Sequence, residues 1–102
     1  MSGLDWYWAI IDRQRGRLRV ARTAGDVLRI LGGKDNASSG DGFYGGDGED
    51  MWEALRAAGW SDVWSEAGYH WAMRAPDGSV VTYCEGDVYA GDRKPLPHGE
   101  PS

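Results

Sequence analysis

The feature that most constrains this chain is its shortage of aliphatic side chains. Leu, Ile, Val and Phe together account for 16 of the 102 residues, and the formal net charge is −5 at pH 7. Such a composition would by itself be typical of a disordered segment. Six Trp, five Tyr and three Met supply further apolar surface. We therefore expect one small domain whose core is rich in aromatic residues, because a chain of this length has room for a single core.

Cysteine content and hydropathy indicate the cellular compartment in which the protein is expected to occur. Cys84 is the one cysteine of the sequence, so no internal disulfide is possible, as expected in a reducing compartment. The apolar run at 6–11 is too short for the apolar core of a signal peptide or for a membrane span. We expect a cytoplasmic protein that does not bind membranes.

The first segment with a clear pattern is 5–22. Large apolar residues alternate with other residues from Trp6 to Ile10, and Gly16 could adopt the positive φ of a short loop. These signals predict a β-hairpin. Its inner face would carry Trp6, Trp8, Ile10, Leu18 and Val20. Its outer face would carry Arg13, Arg17 and Arg19 beside Tyr7, Ala9 and Ile11.

Two helices are predicted from their capping residues. Thr23 can accept a hydrogen bond from the Asp26 amide and begin a short helix that ends at 32–33 with two glycines. Asp47 can cap a second helix, and Gly59 is suited to the position after its end. The segment 61–68 remains ambiguous between a short strand and a helical turn.

A second hairpin is predicted over 69–89, around the turn 76–78 of Pro, Asp and Gly. Two registers are possible. A three-residue loop pairs Trp71 with Tyr83 and keeps the large apolar groups on one face, so we favour it over a two-residue loop. Gly86 suggests a bulge or the start of a further strand through Val88 and Tyr89.

The element order ββ, α, loop, α, βββ indicates a small α+β domain, an antiparallel sheet of two hairpins with two helices packed on one face. We expect this domain to span 1–93, with a long Gly- and Asp-rich loop at 32–50. The segment 94–102 is predicted to be a disordered Pro-rich tail.

Charge is distributed unevenly along the chain. Residues 1–22 hold five Arg and two Asp, whereas 35–66 hold eight acidic residues and one Arg. An acidic surface attracts a basic partner through electrostatic steering and complementarity. Our leading hypothesis is a small, non-enzymatic regulatory module, without metal or cofactor, that binds a basic protein surface and could inhibit a nucleic-acid-binding protein. The predicted partner-binding residues are Asp41, Phe43, Tyr44, Asp47, Glu49 and Asp50.

Phe43 and Tyr44 have two possible roles. Aromatic residues on a glycine-rich loop are typical binding anchors, but they could instead fold back and hold the loop on the core. Trp60, Trp64 and Tyr89 form a further set that could remain exposed, because six Trp are many for so small a core.

Three alternatives belong to other classes of function. The acidic residues of the loop could bind Ca²⁺ or a small ligand, since carboxylates are its preferred donors. His70 lies opposite Cys84 in the favoured register, which could make a thiolate and imidazolium pair, although no oxyanion site accompanies it. Direct nucleic-acid binding by the Arg-rich 5–22 segment is disfavoured by the low pI of about 4.8.

Overall fold

The computed structural model describes residues 4–32 and 40–93. Three helices and five strands lie in this part of the chain. In chain order they are α1 (Leu4–Leu18), α2 (Ala24–Ile30), β1 (Gly42–Phe43), α3 (Gly48–Ala57), β2 (Ser61–Ala67), β3 (His70–Arg74), β4 (Val80–Cys84) and β5 (Asp87–Ala90). The predicted α+β class is confirmed. The predicted tail at 94–102 and the loop segment 33–39 lie outside the described residues.

The hairpin predicted over 5–22 is wrong, because this segment contains helix α1 and the turn that follows it. Tyr7, Ile11 and Leu18 recur at helical spacing on the side that faces the core. Asp12 pairs with Arg15 one turn later at 2.9 Å. The alternation of large residues at 6–10 resembles that of a strand. The residues that pack on the core, Tyr7, Ile11 and Leu18, are instead spaced with the helical period.

Both predicted helices are confirmed together with their caps. The Thr23 hydroxyl accepts from the Asp26 amide at 3.0 Å at the start of α2. The Asp47 carboxylate accepts from the Glu49 amide at 3.1 Å at the start of α3. After α3 the chain reverses at Gly59, which has φ +95°. With α1 included, residues 4–32 and 40–93 contain three helices where two were predicted.

The five strands form one antiparallel sheet in the order β1-β5-β4-β3-β2. The favoured register of the second hairpin is confirmed, since Trp71 pairs with Tyr83 and His70 with Cys84. The ambiguous segment at 61–68 contains strand β2. The predicted strand after Gly86 is β5, which follows a two-residue turn in which Glu85 and Gly86 both have positive φ.

One face of the sheet carries the main core. Trp71 and Tyr83 stack there with ring centroids 5.0 Å apart, and the buried side chains of α1, α2 and α3 join the same cluster. Trp60 belongs to this core and donates from Nε1 to the Ala21 carbonyl at 2.8 Å. The predicted aromatic-rich core is thus present, with the helices packed on this face.

The opposite face of the sheet is partly covered by the segment that follows β5. Thr82 Oγ1 donates to the Gly91 carbonyl at 2.7 Å and accepts from the Arg93 amide at 3.0 Å. Trp64 Nε1 donates to Asp92 at 2.9 Å, so the end of the described chain is tied to β2. No helix within residues 4–32 and 40–93 combines the length and the apolar character that a membrane span requires.

Candidate functional site

A groove runs between α3 and the hairpin of β2 and β3. Its volume is about 420 Å³, and we call it the acidic groove. It is lined by Glu49, Trp52, Glu53, Ser65, Glu66, Ala67, Gly68 and Trp71. Three of these residues are carboxylates and none is basic, so the groove is strongly acidic at neutral pH.

Local sequence explains the helical wall of the groove. Glu49, Trp52 and Glu53 are spaced at i, i+3 and i+4, which places them on one face of α3. Met51 and Leu55 occupy the opposite positions and are fully buried in the core. The buried residues thus fix the rotation of α3, and that rotation presents the two glutamates to the groove.

Trp52 is held in place by two neighbours outside the groove. Its Nε1 donates to Asp62 Oδ1 at 2.7 Å, and the Arg56 guanidinium lies 5.0 Å from the ring centroid. Arg56 also pairs with Asp62 at 3.3 Å. These contacts fix the indole as a preformed wall, which lowers the entropic cost of binding against it.

The hairpin supplies the opposite wall and the floor. Glu66 Oε1 lies 2.8 Å from His70 Nδ1, which positions the carboxylate at the rim. Trp71 Nε1 donates to the Gly68 carbonyl at 3.1 Å at the bottom. A Cβ on Gly68 would lie 2.8 Å from Glu49 Cγ, so a glycine here allows the Glu49 side chain to cross the turn.

The residues predicted to bind a partner are dispersed. Glu49 lines the acidic groove, whereas Tyr44 is buried in the core, which is the second of its two predicted roles. Phe43 is 38% exposed and packs its ring over Gly86. The sequence does not single out Trp52, Glu53 and Glu66, although the concentration of acidic residues over 35–66 points to their region.

The other three predicted carboxylates are engaged in structural contacts. Asp41 accepts from the Ala90 amide at 2.9 Å, Asp47 caps α3, and Asp50 accepts from Arg15 Nη1 at 3.1 Å. Within the described residues, no three His, Cys, Asp or Glu side chains are grouped so that they could hold a metal ion. The calcium alternative stays a prediction, since Ca²⁺ also takes backbone carbonyl oxygens as ligands.

The three aromatic residues that the sequence left as candidates for exposure are mostly enclosed. Trp60 and Tyr89 are buried, and Trp64 is half-buried. The exposed indoles are instead Trp6 at 64% and Trp8 at 52%, both on α1. This difference follows from the helical fold of 4–18, which turns these two residues away from the core.

His70 and Cys84 pair directly across β3 and β4, but their surroundings disfavour a nucleophile. Burial, together with the charges of Glu85 and Asp87, raises the pKa of the Cys84 thiol. Reactive cysteines require the opposite shift, because the thiolate is the nucleophile. His70 Nδ1 faces Glu66, and its buried Nε2 has no hydrogen-bond partner among the described residues.

No protein-family model, curated protein or solved structure gives a significant match to this chain. Its function therefore has to be inferred from its own residues.

Proposed function

We propose that this chain is a non-enzymatic binding module that recognises a basic side chain on the surface of a partner protein. The observation that carries this proposal is the acidic groove, in which Glu49, Glu53 and Glu66 surround a space with one indole wall and no basic lining residue. We therefore place the binding site for a basic partner in this groove between α3 and the hairpin, and not on the glycine-rich loop that the sequence indicated.

The chemistry of the acidic groove suits a guanidinium group. Arginine forms paired hydrogen bonds with carboxylates, and its planar group stacks on aromatic rings. The acidic groove offers both kinds of contact on elements held by the core. Carboxylates placed on rigid elements bind with a smaller loss of backbone freedom than those of a flexible loop.

The overall charge supports the same choice of partner. The net charge of −5, with eight acidic residues and one Arg between 35 and 66, would accelerate encounters with a basic surface. Basic surfaces of this kind occur on nucleic-acid-binding proteins. Occupying such a surface would inhibit nucleic-acid binding by competition for the same positive charges.

The proposal is tested by titrating the isotope-labelled protein with triarginine amide. The nitrogen-15 spectrum resolves the indole N–H groups of the six tryptophans, of which Trp52 and Trp71 line the acidic groove. We expect saturable shifts at these two indoles, with much weaker effects from trilysine amide, because lysine lacks the planar guanidinium. Triglutamate is the negative control.

A matched pair of variants locates the binding. Glu49→Gln with Glu53→Gln removes two carboxylates of the acidic groove and should abolish the shifts. Asp5→Asn with Glu85→Gln removes two exposed carboxylates outside it and should leave them intact. Equal loss in both pairs, or shifts spread over all six indoles, would show general electrostatic attraction and refute recognition by the acidic groove.

A further inference from the structure

Helix α1 presents a row of apolar and basic side chains away from the core. Trp6, Ile10, Arg13 and Arg17 are spaced at i, i+4, i+7 and i+11, which places them on one face of the helix. We call this row the outward stripe. Trp6 is 64% and Ile10 39% exposed, and both arginines are exposed.

Exposed apolar surface is concentrated at this end of the chain. Seven large hydrophobic side chains are exposed in the described part of the chain, and five of them lie between residues 4 and 20. Of these five, Trp6 and Ile10 lie one turn apart on the outward stripe, and contiguous exposed apolar surface is typical of an interaction site. Trp and Arg are also the residue types that most often dominate binding energy at interfaces.

The outward stripe and the acidic groove are complementary in charge and chemistry. The outward stripe offers two guanidinium groups beside an indole and an aliphatic side chain. The acidic groove offers three carboxylates beside an indole. Residues 1–22 carry +3 and residues 23–102 carry −8, so the sequence divides its charge in the same sense.

We infer that the outward stripe of one copy docks into the acidic groove of a second copy. This inference rests on the proposed function and names its basic partner. The residues that line the acidic groove all lie between 49 and 71, so α1 takes no part in the groove of its own chain and the contact joins different molecules. Because two different surfaces meet, the contact is heterologous, and copies associate head to tail.

The chemistry assigns a role to each half of the contact. Arg13 and Arg17 provide the charge-assisted hydrogen bonds to the carboxylates of the acidic groove. Trp6 and Ile10 remove apolar area from water at its rim. Because charge attraction is essential to the contact, association should weaken with salt and disappear near 1 M, where the screening length is about 3 Å.

The test uses two variants of the full chain that each inactivate one surface. Arg13→Gln with Arg17→Gln removes the charges of the outward stripe, and Glu49→Gln with Glu53→Gln removes two charges of the acidic groove. Sedimentation velocity over a range of concentrations should show self-association of the wild type and monomers for each variant alone. Arg19→Gln with Arg22→Gln changes the net charge by the same amount outside the outward stripe and should associate like the wild type.

Mixing the two inactivated variants gives the decisive measurement. One variant retains the acidic groove and the other retains the outward stripe, so one intact contact can form but cannot propagate. An equimolar mixture should therefore form a dimer and nothing larger. Circular dichroism of each variant before mixing establishes that it is folded.

Three results would overturn the inference. They are a monomeric wild type at every concentration, self-association of either inactivated variant, and a mixture that stays monomeric. The triarginine titration separates this failure from failure of the proposed function. If triarginine binds the acidic groove of a monomeric wild type, the groove recognises a basic partner other than a second copy.

Discussion

Replacing Tyr44 with Phe should stabilise this protein, although Tyr44 is among its most deeply buried residues. The Tyr44 ring is 1% exposed, and its hydroxyl is buried without a hydrogen-bond partner among the described residues. Burial raises the pKa of Tyr44, since it disfavours the charged form. The hydroxyl therefore pays a desolvation cost for which no described contact compensates.

The surroundings of the Tyr44 hydroxyl are tightly packed on the side of Gly46. A Cβ on Gly46 would lie 2.7 Å from Tyr44 Oη and 2.8 Å from Ile11 Cγ2, so the backbone there packs closely against both side chains. An unsatisfied buried hydroxyl costs about 1–3 kcal/mol. Tyr44→Phe keeps the ring and removes this cost, so we expect the free energy of unfolding to rise by about 1–2 kcal/mol.

Urea denaturation followed by far-ultraviolet circular dichroism measures this change, and Tyr7→Phe is the matched control. Tyr7 has a similar position beside the same loop, but its hydroxyl donates to the Gly45 carbonyl at 3.2 Å. Removing it should lower the free energy of unfolding by about 0.5–1.5 kcal/mol. A fall in stability for Tyr44→Phe equal to that of Tyr7→Phe would show that the Tyr44 hydroxyl is satisfied and would refute the reasoning.

Three further predictions concern the core, a turn and the alkaline limit of stability. Trp60→Phe removes the 2.8 Å bond from Nε1 to the Ala21 carbonyl and should lower the free energy of unfolding by about 1–3 kcal/mol, measured in urea. Glu85→Asn should raise it by about 1 kcal/mol, because Glu85 has φ +50° and Asn tolerates this conformation in the turn before Gly86; unchanged stability would contradict this. Burial raises the pKa of Tyr83 from 10 to about 12, so the unfolded state loses this proton first and stability should fall as pH rises from 10 through about 12. Tyr83→Phe should reduce that pH dependence.

Local signals in the sequence were sufficient for much of the fold. Thr23 and Asp47 cap α2 and α3 as predicted from the sequence. Such caps can be predicted because they depend on a hydrogen bond within three residues. The register of β3 and β4 follows from keeping Trp71 and Tyr83 on one face. These features depend on neighbours along the chain or on a single hairpin, so sequence reasoning can reach them.

The acidic groove depends on contacts between distant segments and could not be predicted in the same way. Its walls come from α3 and from the hairpin that carries Glu66, and this hairpin includes the segment left ambiguous between strand and helical turn. The burial of Tyr44 could not be predicted for the same reason, because it depends on the position of α1. Neighbouring residues could not decide between an exposed anchor and a core residue.

The wrong secondary structure at 5–22 also has a functional consequence. In the predicted hairpin, Trp6 and Ile10 would occupy the inner face, whereas Arg13 and Arg17 would lie on the outer face beside Tyr7, Ala9 and Ile11. In α1 the same four residues lie on one exposed face. The helical period therefore brings Trp6 and Ile10 onto the same exposed surface as Arg13 and Arg17. The proposed association between copies rests on this combination and on its match to the carboxylates and indole of the acidic groove.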